Sequence, residues 1–345
     1  MKSNPMDFRS DTVTLPTPRM KEAIYKADLG DDVYQEDPTV KELEELACEI
    51  FAKEASLFFP TGTMANQAAV LAHTDRGNEV IVEENSHIYL YEVGGLAVLA
   101  GVQPRGVRST GGNILPETVE KAIRAENIHF PTTGLICLEN THSIHGGTVV
   151  NKANIKEIAE VAKKYNIPVH MDGARDFTAA AFLNKPVKEL SRDCNSIMFS
   201  LSKGLCAPSG SMLVGSEEFI AKARKCRKLL GGGMRQAGIL AAAGIIALEE
   251  MPKRLNEDHE NARILAEGLA GIKGIELDLD SVQTNIVRFK LKNSRVGIYE
   301  LLNKLEEENI KIQFTGGNNI RMVTHKDISR DDVKKCLNVL DMFLK

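Results

Sequence analysis

The sequence predicts an α/β protein with a largely parallel sheet covered on both faces, followed by a smaller C-terminal α+β unit. Three observations carry that reading. Short, almost uninterrupted apolar runs such as "EVIVE" (79–83), "GLICLE" (134–139) and "SIMFSLS" (196–202) suit strands buried on both faces. Amphipathic helical stretches lie between them, as parallel strands joined by crossovers require. Beyond about residue 270 the pattern becomes "TNIVRFKL" (284–291), a helix at "VGIYELLNKLEEEN", then "KIQF" and "NIRMVTH", and a last helix.

Residues 1–36, rich in Asp and Pro, show no strong period and are expected to wrap the surface or reach a neighbouring subunit. "TVKELEELACEIFAKE" then places Val40, Leu43, Leu46, Ala47, Ile50 and Phe51 on one helical stripe. Thr39 and Glu42 have the spacing of a capping box. Strands are expected at "SLFF" (56–59), 79–83, 134–139, "IPVHMD" (167–172), 196–202 and "GSMLVG" (210–215). In the helix "NIKEIAEVAKKYN" (154–166), Ile155, Ile158, Ala159 and Ala162 share a face. A long helical region follows at about 235–270, with a domain boundary near 250. The expected organisation is an N-terminal segment 1–36, a large domain 37–250 and a small domain 251–345.

The 345 residues are 43% hydrophobic and 26% charged, as in an ordinary globular chain, and a net charge of -4 gives no reason to expect a nucleic-acid or anionic-membrane partner. "MKSNPMDFRSDTVT" lacks the apolar stretch of a secretory signal, and "AGILAAAGIIAL" (237–248) is too short to span a bilayer. The six cysteines form no CxxC pair and no Cys/His cluster at zinc spacing. Reduced thiols, a cytoplasmic location and no metal site are the expectation. Cys206 reads as a packing residue.

Four stretches carry chemistry. "PTGTMANQ" (60–67) runs from a strand into a helix, so the amides of Gly62 and Thr63 make a place for a single phosphate; the Gly-Lys-Ser/Thr ending of a nucleotide loop is missing. "VHMDGAR" (169–175) ends a buried strand with Asp172, which either pairs with Arg175 or faces a cationic ring nitrogen while Arg175 binds a carboxylate. "FSLSKGLCAPSG" puts Lys203 at a strand end, where desolvation and nearby cations lower an amine's pKa and make it a nucleophile. His87, in "EENSHIYLYE", could lie against a ring face or move a proton. Any one of these has an ordinary structural explanation. Together, an anion cradle, a strand-end Asp and a strand-end Lys meet the needs of pyridoxal phosphate.

At this point the motifs "FRSDTVTLPT", "GDDVYQEDPT", "FPTGTMANQ", "SHIYLYEVGG", "HMDGARDF", "FSLSKGLCAPSGS" and "LLGGGMRQAG" resemble the low-specificity L-threonine aldolases. That family has the aspartate-aminotransferase-like fold of pyridoxal-phosphate enzymes. The likeness runs from about Asp7 through "NIRMVTHKDIS". It implies that Lys203 holds the cofactor covalently, Asp172 bonds its ring nitrogen, Gly62 and Thr63 hold its phosphate, and His87 stacks on the ring. Arg175 would lie near the ring oxygen and the substrate carboxylate, which Ser10 and Arg321 complete. Lys228 and Arg235 resemble residues reaching a neighbour's phosphate, implying a homotetramer built from dimers. Tyr34 and His129 resemble residues lining the substrate side. The resemblance assigns nothing to His145.

The reaction so implied is retro-aldol cleavage of L-threonine or L-allo-threonine into glycine and acetaldehyde, with His87, or His129 through a water, as base for the β-hydroxyl. The alternatives are another enzyme of this fold (a β-eliminating lyase, racemase or aminotransferase) or a non-catalytic pyridoxal-binding oligomer.

Overall fold

The computed structural model describes residues 5–292 and 296–345. Its central sheet has seven strands in the spatial order Ala55–Phe59, Ser211–Gly215, Ser196–Ser200, Val169–Asp172, Thr133–Glu139, Glu79–Glu83, Gln103–Val107. All neighbours run parallel except Ser211–Gly215, which is antiparallel to both strands beside it. A four-stranded antiparallel sheet follows in the C-terminal part, in the order Gln313–Phe314, Asn319–Val323, Ile286–Leu291, Ile275–Glu276.

Burial follows the sequence pattern. Every residue of Glu79–Glu83, Val169–Asp172, Ser196–Ser200 and Ser211–Gly215 is buried, as helices on both faces require. Phe199 stacks on Phe51 with ring centroids 4.5 Å apart and meets Phe177 edge-on at 5.6 Å. This packing fixes the strand whose end carries Lys203. Truncating Phe199 to Ala costs about 3–5 kcal/mol by the usual cavity cost.

Three local expectations are corrected. Thr39 does not cap its helix: Asp37 does, its Oδ1 accepting from the Val40 amide at 3.0 Å, because Pro38 sets the helical φ one residue earlier. The Thr39 hydroxyl instead donates to the Asp28 carbonyl at 2.7 Å. The strand Gln103–Val107 was not expected. Its polar residues, Pro104 and Gly106 suit the sheet edge it occupies, where alternation is weak. The helical region after 235 is two helices, Gly238–Glu250 and Leu255–Ala270, joined by a 3₁₀ turn containing Pro252.

The N-terminal segment lies along the chain's own C-terminal part. Met6–Asp7 pairs in parallel with Ile310–Lys311, and Phe8 is fully buried in the same apolar cluster as Leu265, Phe289 and Met322. The segment then crosses to the large sheet, where Thr14 Oγ1 lies 2.9 Å from the Lys203 carbonyl. No helix among the described residues is long and apolar enough to cross a membrane.

Candidate active site

The turns at the carboxyl ends of the parallel strands converge on a cavity of about 290 Å³, the usual ligand position in such sheets. It is lined by Gly62, Thr63, His87, Asp172 and Lys203 among others. Pro60 follows the strand Ala55–Phe59, and the helix Gly62–His73 begins with Thr61 as its cap, the Thr61 hydroxyl accepting from the Met64 amide at 3.2 Å. The amides of Gly62 and Thr63 stand where a helix supplies no acceptor of its own, which leaves them for an anion.

Asp172 closes its strand at 2% exposure. Its Oδ2 accepts from Asn66 Nδ2 at 2.9 Å and its Oδ1 from the Ala174 amide at 3.1 Å. The chain can turn sharply here because residue 173 is glycine: a Cβ would lie 2.7 Å from Asp176 Oδ2 and 2.8 Å from the Met198 carbonyl oxygen. The same Asn66 nitrogen donates to Glu92 Oε1 at 2.9 Å, and Gln67 donates to Glu92 Oε2 at 2.6 Å. His87 Nδ1 sits 3.0 Å from Glu92 Oε1, and the His87 amide donates to Glu139 Oε2 at 2.6 Å. Burial opposes protonation of His87, but the Glu92 hydrogen bond and the Asp172 charge outweigh it and raise the imidazole above its ordinary value.

Behind Asp172 the contacts form one directed chain. Asn66 Oδ1 lies 3.1 Å from His170 Nε2, His170 Nδ1 lies 2.9 Å from Ser196 Oγ, and Ser196 Oγ lies 2.8 Å from His73 Nε2. Because Asn66 Nδ2 donates to the carboxylates, Oδ1 must accept. His170 therefore carries its proton on Nε2, Ser196 donates to His170 Nδ1, and His73 donates to Ser196. Burial lowers His170 to about 4 and His73 to about 3, so both rings are neutral, as this single orientation requires.

Lys203 lies three residues beyond Ser200, half-buried on the turn after its strand. Burial, then the Arg175 charge, push its amine below the ordinary value, against the pull of Asp172, Asp11 and Glu139. Arg175 does not pair with Asp172. Its fork is taken by Asp11, with Nε to Oδ2 at 2.8 Å and Nη2 to Oδ1 at 2.7 Å, both partners buried. Burial opposes the Asp11 charge, yet Arg175 wins and holds the carboxyl well below the usual carboxylate range. Ser10 caps the turn that presents Asp11, its Oγ accepting from the Thr12 amide at 3.2 Å. Arg321 donates from Nη2 to the Arg9 carbonyl at 3.1 Å and from Nη1 to Ser143 Oγ at 3.4 Å, while its buried Nε has no partner.

Seven of the expected residues are not among those lining this cavity: Ser10, Arg175 and Arg321, described above, and Tyr34, His129, Lys228 and Arg235. Tyr34 is 70% exposed, with the Arg235 guanidinium 5.8 Å over its ring and Arg235 in turn bonded to Asp31 at 2.9 Å. Lys228 is exposed in the last turn of the helix Glu217–Leu229. His129 is exposed on the turn before the strand Thr133–Glu139. His145 belongs to a separate cluster: its Nε2 lies 3.5 Å from Glu83 Oε1, which also takes Ser109 Oγ at 2.9 Å, and Glu83 Oε2 takes His142 Nε2 at 2.9 Å. Burial pushes the Cys206 thiol up to about 12, in keeping with a packing role. Asp11, Asn66, Glu92 and His170 were not singled out from sequence, although all but Asp11's long-range pairing sit in or beside the quoted motifs.

Comparison with known proteins adds the family. Residues 7–292 match the model of the β-eliminating lyases. Low-specificity L-threonine aldolase 1 of Arabidopsis thaliana is 43% identical over 338 residues, covering 96% of this chain and 94% of that one. The low specificity L-threonine aldolase of Escherichia coli K12 is 43% identical, covering 95% and 96%. The chain belongs to the low-specificity L-threonine aldolase family. The threonine aldolase of Leishmania major, at 18% identity, superimposes with a TM-score of 0.85 over 99% of this chain and 100% of that one, which shows the shared fold. The cofactor of this lyase family is pyridoxal phosphate, and the donor set fits it. Free helix-start amides suit its phosphate, the buried Asp172 carboxylate suits its ring nitrogen, and the depressed Lys203 amine lines the same cavity.

Proposed function

We propose that this chain cleaves L-threonine and L-allo-threonine between Cα and Cβ, releasing glycine and acetaldehyde, with pyridoxal phosphate held on Lys203. The observation that carries the reading is the convergence of Lys203, Asp172 and the Gly62–Thr63 amides on one cavity. When bound, the cofactor supplies an electron sink for the pair left on Cα.

The chain's own residues do the rest. Lys203, with its amine depressed by burial and by Arg175, is neutral more readily than an exposed lysine and so is the nucleophile. Asp172, fixed by Asn66 and the Ala174 amide, would hold the ring nitrogen of the bound cofactor. His87 would lie against the ring face of the bound cofactor, and its contact to Glu92 would let that pair take the β-hydroxyl proton. Arg321 and Ser10 grip the substrate carboxylate. Arg175, already neutralised by Asp11, holds the near edge of the site. A clamp of this kind fixes rotation about N–Cα, which selects the bond that breaks.

Lys228 and Arg235, exposed on their own chain, reach the phosphate of a neighbouring subunit's site in a homotetramer, and Tyr34 and His129 line the substrate side. Six free cysteines suit a cytoplasmic location. The deciding experiment incubates the holoenzyme with each threonine stereoisomer and measures glycine and acetaldehyde. Borohydride reduction followed by peptide mapping then locates the cofactor. Cleavage of L-threonine with label on Lys203 is expected; pyruvate, 2-oxobutyrate or D-amino acid as the main product would favour another enzyme of this fold.

A further inference from the structure

Two arginines face each other in the small sheet with nothing between them to balance their charge. Arg288 and Arg321 are directly opposite in the antiparallel register of Ile286–Leu291 with Asn319–Val323. Opposed residues point to the same face with Cβ atoms roughly 4.5–5.5 Å apart, and like charges there are unfavourable. Their neighbours on the other face, Val287, Phe289 and Met322, fill the core, so the arginine face is the one turned toward the large sheet. Arg321 donates to Ser143 Oγ and the Arg9 carbonyl and keeps its buried Nε free of a partner. Arg288 is half-buried and, among the described residues, has neither an ion-pair nor a hydrogen-bond partner.

The acids near Arg288 are already engaged. It lines a cavity of about 550 Å³ together with His145, Gly146, Glu276 and Asp278. Glu276 pairs with Lys292 at 2.6 Å, and Asp278 Oδ1 accepts the Asp280 amide at 3.0 Å. Toward the active site, Tyr91 lies within electrostatic reach of both arginines, and its ring stands 5.8 Å from that of His87. Arg288 therefore lies beside Arg321 on one face of the small sheet, and Tyr91 links that face to His87. With Arg175 saturated by Asp11, the α-carboxylate of a substrate neutralises Arg321, and Arg288 remains for a second anion.

We infer that Arg288 is a specificity determinant for β-hydroxy-α-amino acids bearing a second carboxylate on the carbon that carries the hydroxyl. The inference rests on the aldolase reading above. For 3-hydroxyaspartate the Cα–Cβ bond breaks and its electron pair stays on Cα, which gains a proton, while the hydroxyl loses one. The products are glycine and glyoxylate, with no net oxidation or reduction.

The test compares kcat/KM of the holoenzyme for L-threo-3-hydroxyaspartate, for the neutral isostere β-hydroxyasparagine and for L-threonine, reading glyoxylate, the corresponding amide aldehyde and acetaldehyde. The wild type is expected to favour hydroxyaspartate over β-hydroxyasparagine by about tenfold or more, as sites built for a charged group do. Arg288→Gln should abolish that preference and Arg288→Lys should keep part of it. Absence of the preference in the wild type overturns the inference without needing any variant. So does a preference that survives in Arg288→Gln, including one that survives alongside a changed assembly size, which would assign Arg288 to a subunit contact. An equal fall for all three substrates also overturns it, by placing Arg288 on the α-carboxylate. If threonine is cleaved and hydroxyaspartate is not, this inference alone falls. If none of the three is cleaved, the aldolase reading falls and takes the inference with it.

Discussion

Asn66 Nδ2 donates to Asp172 Oδ2 at 2.9 Å, and the same nitrogen donates to Glu92 Oε1 at the same distance. One buried amide thus ties the Asp172 carboxylate to the Glu92 carboxylate that bonds His87. The carboxylates set its direction, and His170 Nε2 donates to the Asn66 Oδ1 that this leaves as acceptor. Asn66→Ala removes a donor from two buried carboxylates at once. A charged group that loses one hydrogen bond costs about 1.5–3 kcal/mol, so pyridoxal phosphate should bind the apoenzyme about ten- to a hundredfold more weakly. Fluorescence titration measures this directly, and an unchanged affinity would show that Asp172 needs no support from Asn66.

Removing Asp11 should expose what holds the N-terminal segment in place. Asp11→Asn leaves the Arg175 guanidinium, 7% exposed, without its bidentate partner. Breaking one side of a buried pair costs about 3–5 kcal/mol, so the variant's unfolding midpoint in urea should fall well below the native one. The pH dependence has a definite sign. The folded Asp11 carboxyl lies below its unfolded value of 3.8, so its stabilisation is present above that pH and drains away as the pH falls below it. The gap between native and variant stability should therefore be constant from pH 6 upward and shrink in acid. A gap that widened in acid would contradict the ion pair.

What could be read from sequence divides along a physical line. Strands buried on both faces announce themselves by composition, so Glu79–Glu83 and Ser196–Ser200 were legible, whereas Gln103–Val107, polar and at the edge, was not. The cavity's members at strand ends, Asp172 and Lys203, were legible because a charged residue closing an apolar run is conspicuous. Asp11 was not, since its partner lies 164 residues away and no local pattern marks the pairing. Asn66 and His170 lie inside stretches that were read, but an amide on a helix and a histidine on a strand reveal their use only when the fold brings their atoms together 104 residues apart.

Asp176 should make the protein more stable toward acid over the neutral range. Burial, with Asp172 adding to it and Asn140 opposing, pushes this carboxyl up to about 7 from 3.8. The folded state then holds a proton that the unfolded chain has lost, so stability declines as the pH rises from about 4 toward 7 and levels off above it. Asp176→Asn copies the protonated form. At pH 8 it should be more stable than the native protein, on the order of 4 kcal/mol, with the advantage vanishing near pH 4. Thermal or urea unfolding at the two pH values checks this, and an advantage that grew in acid would mean that Asp176 is ionised in the fold.

The exposed residues Tyr34, Lys228 and Arg235 give the last prediction. Arg235 is 52% exposed in its side chain and is held by Asp31 over Tyr34, and it is not among the residues lining the cavity of its own Lys203. If it serves a neighbour's phosphate, Lys203→Ala and Arg235→Ala damage different halves of one composite site. Each variant alone should be nearly inactive. Dissociated and re-associated together, about half of the dimers are mixed, and each mixed dimer has one intact site of two, so about a quarter of native activity should return. A site contained within one chain has no route to such recovery, because every lysine-bearing chain would still lack its own Arg235. Activity that stays at the level of the separate variants, with mixing verified by mass, would therefore place the whole site on one subunit and leave Arg235 to its contact with Asp31.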